Sequence, residues 1–357
     1  MIKENFWHAK KVLITGHTGF KGGWLSIWLK SLGAEVIGVS LDPPSTPSLF
    51  HKALISDGMV SLRQDIRDLR SLTKIFQKYQ PEIVFHLAAQ SLVKYSYSNP
   101  VETYETNVMG TVNILEAIKT VGNVKAAVIA TTDKCYENTE KYKGYVEDDP
   151  MGGHDPYSSS KGAAELLISS YRNSFFGDAN FEGSNTPIAS VRAGNVIGGG
   201  DWAQDRLIPD IIYSFQKKQK VNIRNPHAVR PWQHVLEPLS GYMLLAELLF
   251  TEGSRFAEAW NFGPNVEDAR TVEWIVERIA DLWGDNSKWS IDKNYHEHET
   301  TFLKLDCSKA LKNLKWQPKW TLEEALIKNV EWHKEEQLNP SKCKEICLNQ
   351  IQDYQNM

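Results

Sequence analysis

The chain has four cysteines in 357 residues, no marked excess of charge, and no apolar run near the ~20 residues that a membrane-spanning helix needs. Four scattered thiols do not make a disulfide framework. Cys343 and Cys347 stand at helical i,i+4 spacing, but without a nearby histidine or a second cysteine pair they make a poor zinc site. Two free thiols facing solvent are expected there, and no metal. A formal charge of −4 gives no reason to expect nucleic acid or an anionic membrane as partner. The first residues, Met-Ile-Lys-Glu-Asn-Phe-Trp-His, carry no secretory h-region, so the cytoplasm is the expected compartment. Internal repeats and low-complexity segments are missing as well. What remains, 41% hydrophobic and 24% charged, is an ordinary globular composition. The length predicts roughly two domains.

Residues 10–23, Lys-Lys-Val-Leu-Ile-Thr-Gly-His-Thr-Gly-Phe-Lys-Gly-Gly, are the most informative stretch. An apolar run ends in Gly16, Gly19 and Gly22, and an amphipathic segment (Trp24, Leu25, Ile27, Trp28, Leu32) follows at helical spacing. Strand, glycine turn and helix N-terminus together suit a dinucleotide pyrophosphate. Gly16 permits the tight turn, Gly19 admits the phosphates, and Gly22 lets the helix pack on the strand. The spacing G-x-x-G-x-x-G departs from the more common G-x-G-x-x-G.

Short β-branched runs at Lys11–Thr15, Glu35–Ser40, Met59–Arg63, Ile83–Leu87, Ala126–Thr131 and Ile188–Arg192 read as strands. Helical patterns at Trp24–Leu32, Leu69–Tyr79, Val101–Thr120 and Tyr157–Asn173 alternate with them. Such alternation predicts βαβ units in a doubly wound parallel sheet, with ligands at the carboxyl ends of the strands. After about residue 180 the pattern is irregular and predicts a smaller mixed α/β lobe: residues 1–188 form the dinucleotide-binding domain and 189–357 mainly the substrate lobe, with strand Ala259–Phe262 returning to the sheet. The tail from Lys334 to Met357 is polar and reads as peripheral.

Tyr157 and Lys161 make Tyr-x-x-x-Lys on one face of a helix. A lysine beside a phenol favours phenolate by charge, so the tyrosine can serve as a base. The strand end Thr131-Thr132-Asp133-Lys134 sets three polar groups at a carboxyl edge. Thr132 can share a substrate proton, Asp133 can be a general acid, and Lys134 a cation or, if its pKa falls, a base.

These residues, with Asp65-Ile66-Arg67-Asp68, His86-Leu87-Ala88-Ala89-Gln90, Asn107-Val108-Met109-Gly110-Thr111 and Arg192-Ala193-Gly194-Asn195-Val196, make the chain resemble the short-chain dehydrogenase/reductase superfamily. The resemblance is to its extended, nucleotide-sugar-modifying branch and runs from residue 10 to about 333. Gly-His-Thr-Gly-Phe-Lys-Gly-Gly-Trp (16–24), Thr-Asp-Lys-Cys-Tyr (132–136), Gly-Asn-Val-Ile-Gly-Gly-Gly-Asp-Trp (194–202) and Arg-Pro-Trp-Gln-His-Val (230–235) look most like the branch's CDP-glucose 4,6-dehydratases. The dTDP-glucose enzymes have Thr-Asp-Glu where Thr132-Asp133-Lys134 stands, and Lys134 favours the CDP-sugar group. The resemblance implies a Rossmann-type fold, catalysis by Thr132, Asp133, Lys134, Tyr157 and Lys161, and a homodimer or dimer of dimers. It implies cofactor contacts from Gly16, Thr18, Gly19, Phe20, Lys21, Gly22, Asp65, Ile66, Leu87, Ala88, Ala89 and Asn107, besides Tyr157 and Lys161. Nucleotide-sugar contacts fall to Gln90, Asn195, Arg206, Arg224, Arg230 and His298. Apolar positions Ile114, Leu115, Ile118, Leu166, Leu167 and Ile168 either serve a helical dimer interface or pack on the sheet. Trp202 and Trp232 read as lobe packing.

The end of the second strand, Val39-Ser40-Leu41-Asp42, holds no arginine for a 2′-phosphate, and NAD is expected over NADP. Two other readings stand beside dehydration: a sugar-nucleotide 4-epimerase, which needs no acid to expel a 6-hydroxyl, and a dinucleotide-sensing protein without chemistry.

Overall fold

Apolar runs of the first half become parallel strands buried on both faces. A computed structural model describes residues 3–176, 185–284, 287–292 and 302–357. In chain order the strands are β1 (Lys11–Thr15), β2 (Glu35–Ser40), β3 (Val60–Arg63), β4 (Ile83–His86), β5 (Ala126–Ala130), β6 (Ile188–Ala193), β7 (Asn195–Ile197), β8 (Val221–Ile223), β9 (Val229–His234), β10 (Ala259–Phe262), β11 (Ala269–Thr271) and β12 (Trp289–Ile291). The helices are α1 (Glu4–Trp7), α2 (Phe20–Ser31), α3 (Leu49–Lys52), α4 (Leu69–Tyr79), α5 (Val93–Ser98), α6 (Pro100–Tyr104), α7 (Gly110–Val121), α8 (Pro156–Phe175), α9 (Leu207–Gln216), α10 (Leu236–Glu252), α11 (Val272–Trp283), α12 (Leu322–Leu338) and α13 (Cys343–Gln355).

The main sheet has seven strands in the order β10-β6-β5-β4-β1-β2-β3, all parallel. Side chains alternate between its faces, as strand geometry requires. Val12 and Ile14 pack with α2, α10 and α13, whereas Leu13 packs with α4, α7 and α8. Strand order reverses between β1 and β4, which puts the ligand crevice over their carboxyl ends. The smaller sheet β11-β9-β7 and the pair β12-β8 pack with α9, α11 and α12 around a second core.

Three expectations change. The helix expected over Val101–Thr120 is α6 and α7 joined by a π-helical turn, Glu105–Met109, which carries the buried Asn107. Of the six apolar positions on these helices, Ile114, Leu115, Ile118 and Ile168 are fully buried against the sheet and Leu166 is exposed. The tail is not peripheral, and its thiols do not face solvent. Cys343, Ile346, Cys347, Ile351 and Tyr354 form one buried stripe on α13, which packs on α2. The interleaved Lys, Glu and Gln residues hide that stripe in the composition.

Glu237 on α10 locks the tail in place. Its carboxylate accepts hydrogen bonds from the Tyr354 hydroxyl at 2.6 Å and the Trp320 N–H at 2.7 Å. Burial pushes its carboxyl up to about 7, against these donors. A carboxyl raised on folding stabilises fully below its ordinary value of 4.5 and loses that contribution as pH rises through about 7. The loss is at most about 3 kcal/mol. Glu237→Gln should therefore flatten the fall of melting temperature between about pH 5 and about pH 8 relative to the parent. Parallel melting curves across that range would discard Glu237 as the group responsible.

Candidate active site

Gly16 ends β1 with φ +80°, a conformation L side chains rarely adopt, and a Cβ there would lie 2.8 Å from the Ala88 nitrogen. A Cβ on Gly22 would lie 2.1 Å from the Gly16 carbonyl oxygen, so only glycine lets α2 start this close to the strand. Gly19 is more open, with its nearest neighbour 3.4 Å from an added Cβ. The first turn of α2 carries neither a side-chain cap nor an acidic residue, which leaves its N-terminal dipole to an anion. The Thr15 hydroxyl accepts from the Leu87 and Ala88 N–H groups, each at 3.1 Å, and ties the β4 turn to the glycine turn. Thr18 Oγ1 bonds the Ser40 hydroxyl at 2.7 Å and the Leu41 carbonyl at 3.0 Å, joining the end of β2 to the same rim.

Asp65 receives the Arg67 backbone N–H at 2.8 Å and its guanidinium at 2.7 Å, while Asp68 caps α4. Ile66 is buried beneath Gly110, where a Cβ would meet its Cδ1 at 2.5 Å. The end of β2 differs from expectation. No arginine stands in 39–42, but β3 supplies Arg63, whose Nε donates to Asp42 at 2.8 Å while the guanidinium lies over the Phe50 ring. Asp42 is occupied by this exposed pair.

Asp155 caps α8 by accepting the Ser158 N–H at 2.9 Å, and Tyr157 follows in the first turn. The Thr132 side chain lies beside the Tyr157 phenol and acts on its pKa. Burial pushes that phenol up to about 12, and Asp133 adds to the rise; Thr132 and the Arg206 charge pull the other way. Lys161 is 4% exposed, and its Nζ donates to the Ala130 carbonyl at 3.0 Å. Burial brings its ammonium down to about 8, against the pull of Glu165. The charge expected to act on the phenol from Lys161 is thus committed to the end of β5.

Asp133 is 2% exposed, accepts from Thr132 at 3.1 Å, and leaves Oδ2 without a protein partner. Burial raises its pKa, opposed by Lys134, Thr132, Arg230 and Lys21. A raised pKa and an uncommitted oxygen both suit a general acid. Lys134 is half-buried beside it. Lys21 reaches the same charge cluster: burial and Arg206 bring it down to about 8, with Asp133 and Lys161 also acting on it.

The family of the chain is decided by most of its length. The model of the family described as GDP-mannose 4,6 dehydratase matches residues 13–329. The chain belongs to that family. It is 59% identical over 334 residues to the CDP-glucose 4,6-dehydratase of Salmonella typhimurium, covering 94% of this chain and 93% of that one. Identity to the dTDP-glucose 4,6-dehydratase of Haemophilus influenzae is 28%, over 90% of this chain and 97% of that one. Among solved structures, the dTDP-glucose 4,6-dehydratase of Bacillus anthracis in complex with NAD superposes with a TM-score of 0.76 at 23% identity, covering 93% and 98% of the two chains. An epimerase of Methanothermobacter thermautotrophicus superposes with a TM-score of 0.79 at 24% identity, covering 95% and 96%.

In this family member, the remaining predicted residues divide between the rim and the scaffold. Arg206 pairs with Asp201 at 2.9 Å and donates to Ser91 at 2.9 Å, spanning the two lobes. Asn195 opens β7 in register with Trp232 of β9, and the charge of Arg230 on the same strand acts on Asp133. Arg224 follows β8, and its charge acts on Asp210 of α9. Gln90 spends its side chain on Thr103 of α6 at 2.9 Å and on the Leu92 N–H of its own loop at 2.6 Å. Asn107 accepts the Gln90 N–H and donates to Ser160, binding that loop to α8. His298 lies outside the described residues. Trp202 packs edge-on against Trp332 and His333.

Sequence reasoning assigned no role to Glu165 and Arg192, a fully buried ion pair at 2.8 Å behind Lys161. The signal was available: an arginine inside the otherwise apolar β6 demands a buried partner, and Glu165 lies one helical turn beyond Lys161. The glycine turn gives a direct test. Gly22→Ala should destabilise the protein by roughly 1–3 kcal/mol, because its Cβ meets backbone rather than a flexible side chain. An unchanged thermal melt would show that α2 can shift away from β1 at no cost.

Proposed function

We propose that the chain dehydrates CDP-glucose to CDP-4-keto-6-deoxyglucose with NAD as a regenerated cofactor. The observation that carries this reading is one strand end and one helix presenting a base pair, Tyr157 and Lys161, together with a buried acid, Asp133, in a chain 59% identical to a CDP-glucose 4,6-dehydratase. The glycine turn, the uncapped start of α2 and the Thr15-held turn at Leu87–Ala88 fit a dinucleotide, so Gly16–Gly22, Asp65, Ile66, Leu87–Ala89 and Asn107 would hold or frame it. NAD bound there would accept the C4 hydrogen and return it at C6.

Tyr157, aided by Thr132, takes the proton of the 4-hydroxyl. The ketone that follows makes the C5 proton acidic, and Lys134 would be the base that removes it. Asp133, whose pKa burial raises, would give a proton to the departing 6-hydroxyl. Asn195, Arg206, Arg224 and Arg230 would hold the diphosphate and its nucleoside, an arginine fork being matched to phosphate oxygens. A 4-epimerase shares Tyr157 and Lys161 but has no use for Asp133. The product class is a precursor of deoxysugars such as those of lipopolysaccharide, made in the cytoplasm where nucleotide sugars and NAD are available.

A dimer fits the surface. Tyr95 and Tyr97 on α5, Val101 and Tyr104 on α6, and Leu166 and Phe175 on α8 are exposed on helices that pack against one another. Light scattering at micromolar concentration should give twice the chain mass or a multiple of it; a monomer would remove this reading.

Incubation with CDP-glucose should yield the alkali-induced absorbance of a 4-keto sugar, and its absence with every nucleotide-glucose would end the dehydratase reading. Tyr157→Phe should bind CDP-glucose in calorimetry yet lose about 10²–10⁴-fold in turnover. In deuterated solvent Lys134→Met should leave the C5 hydrogen of the sugar unexchanged. Asp133→Asn should retain that exchange and fail to release water. Exchange at the parental rate in both variants would mean that Lys134 is not the base at C5.

A further inference from the structure

Three side chains on one face of α8, four residues apart, reach successive groups at the end of β5. Tyr157 lies against the Thr132 side chain, Lys161 bonds the Ala130 carbonyl at 3.0 Å, and Glu165 bonds the Thr131 hydroxyl. The Glu165 rung goes further than the other two. Its Oε2 also accepts the Ser190 hydroxyl and an Arg192 Nη2 hydrogen, each at 2.8 Å, so one carboxylate fastens α8 to both β5 and β6. Arg192 carries the connection onward, donating to the Tyr136 hydroxyl at 2.7 Å and the Glu147 carbonyl at 2.8 Å. Tyr136 follows Lys134 by two residues, and its hydroxyl donates to Asn261 of β10 at 2.8 Å. The network thus grips the Thr132–Lys134 turn from both ends, through Thr131 before it and Tyr136 after it.

We propose that Glu165 is a positioning residue for the reaction: by holding Thr131, Ser190 and Arg192 at once, it sets Tyr157 and Lys161 in register with Thr132, Asp133 and Lys134. The role rests on the dehydration reading above. A proton acceptor on a helix and a proton donor on a strand end serve one sugar only if their separation is fixed, and hydrogen bonds between those two elements are what fix it. A carboxylate here also favours the Lys161 cation electrostatically. The charged and titratable groups acting on Lys161 and Glu165 are each other, Arg192, Arg172 and Cys135, with Lys21 and His86 on the far side of Lys161.

The test compares Glu165→Gln, Glu165→Asp and the double variant Glu165→Gln/Arg192→Met with the parent. The double variant is included because the single one leaves a guanidinium buried without its counter-charge. Glu165→Gln should lose about 10²-fold in kcat, the scale of a small misplacement of reacting groups. KM and the calorimetric Kd for CDP-glucose should stay within a few-fold, and Glu165→Asp should recover part of kcat. The double variant should regain the parental melting temperature while kcat stays low. If its kcat recovers along with its stability, or if Glu165→Gln turns over at the parental rate, the pair only fills space and the proposal fails. A readout without substrate separates this from failure of the dehydratase reading. Carbon NMR of the Lys161 Cε should show its ammonium losing its proton at lower pH in Glu165→Gln than in the parent, and an unchanged titration overturns the electrostatic part. A parent that neither binds nor converts CDP-glucose overturns the dehydratase reading, while the Lys161 titration and the melts still judge the clamp.

Discussion

Burying an ammonium costs several kcal/mol unless nearby groups replace its lost hydration, and Lys161 is 4% exposed with the Ala130 carbonyl as its hydrogen-bond partner. Everything around the carboxyl edge of the sheet follows from balancing that charge and the others gathered with it. Behind Lys161, Glu165 supplies the counter-charge and is itself matched by Arg192. In front, Lys21 and Arg230 each act on Asp133, and Arg206 is anchored by Asp201. Asp133, Lys21, Lys161 and the arginines beside them are therefore one electrostatic system. Changing any of them moves the proton affinity of the rest, which is a common property of sites built for proton transfer.

Close backbone approach is the second requirement, and the glycines meet it on both lobes. Gly16 and Gly22 let α2 begin against the turn at Ala88, and Gly199 does the same for the loop between the lobes. A Cβ on Gly199 would stand 2.0 Å from the Trp332 ring of α12, so the indole occupies the notch a side chain would take. From there aromatic contacts run without a break. Trp24 donates to the Gly199 carbonyl and meets His234 edge-on; His234 meets Trp320, Trp320 meets Tyr354, and Tyr354 meets Trp28 back on α2. Such edge contacts each contribute about 0.5–1.5 kcal/mol beyond their buried area. Together they make the C-terminal helices part of the wall that positions α2 and the Gly198–Trp202 loop.

The parallel sheet could be read from the sequence because strands buried on both faces are nearly continuous apolar runs; Lys11–Thr15 and Glu35–Ser40 match the structure to the residue. The π-helical turn at Asn107 was hidden, since its side chain is called inward by Gln90 and Ser160, which are distant in sequence. Arg63 was missed at the rim of β2 for a similar reason: only the pairing of β2 with β3 brings it to Asp42. The tail misled through composition. Its apolar residues recur at helical spacing, but lysine, glutamate and glutamine between them lower the average and conceal a buried face.

The two halves of the site differ in how firmly the fold holds them. Tyr157, Lys161, Thr132 and Asp133 sit on strand and helix ends within the larger core, where each is tied to a neighbouring element. Arg206, Arg224 and Arg230 belong to the smaller lobe, whose polar links to the larger one include Arg206 with Ser91 and Lys94 with Asp205. Exposed ion pairs of the latter kind contribute less than about 1 kcal/mol. The residues proposed to bind the diphosphate are thus set on the smaller lobe, and those proposed to move protons on the sheet and α8.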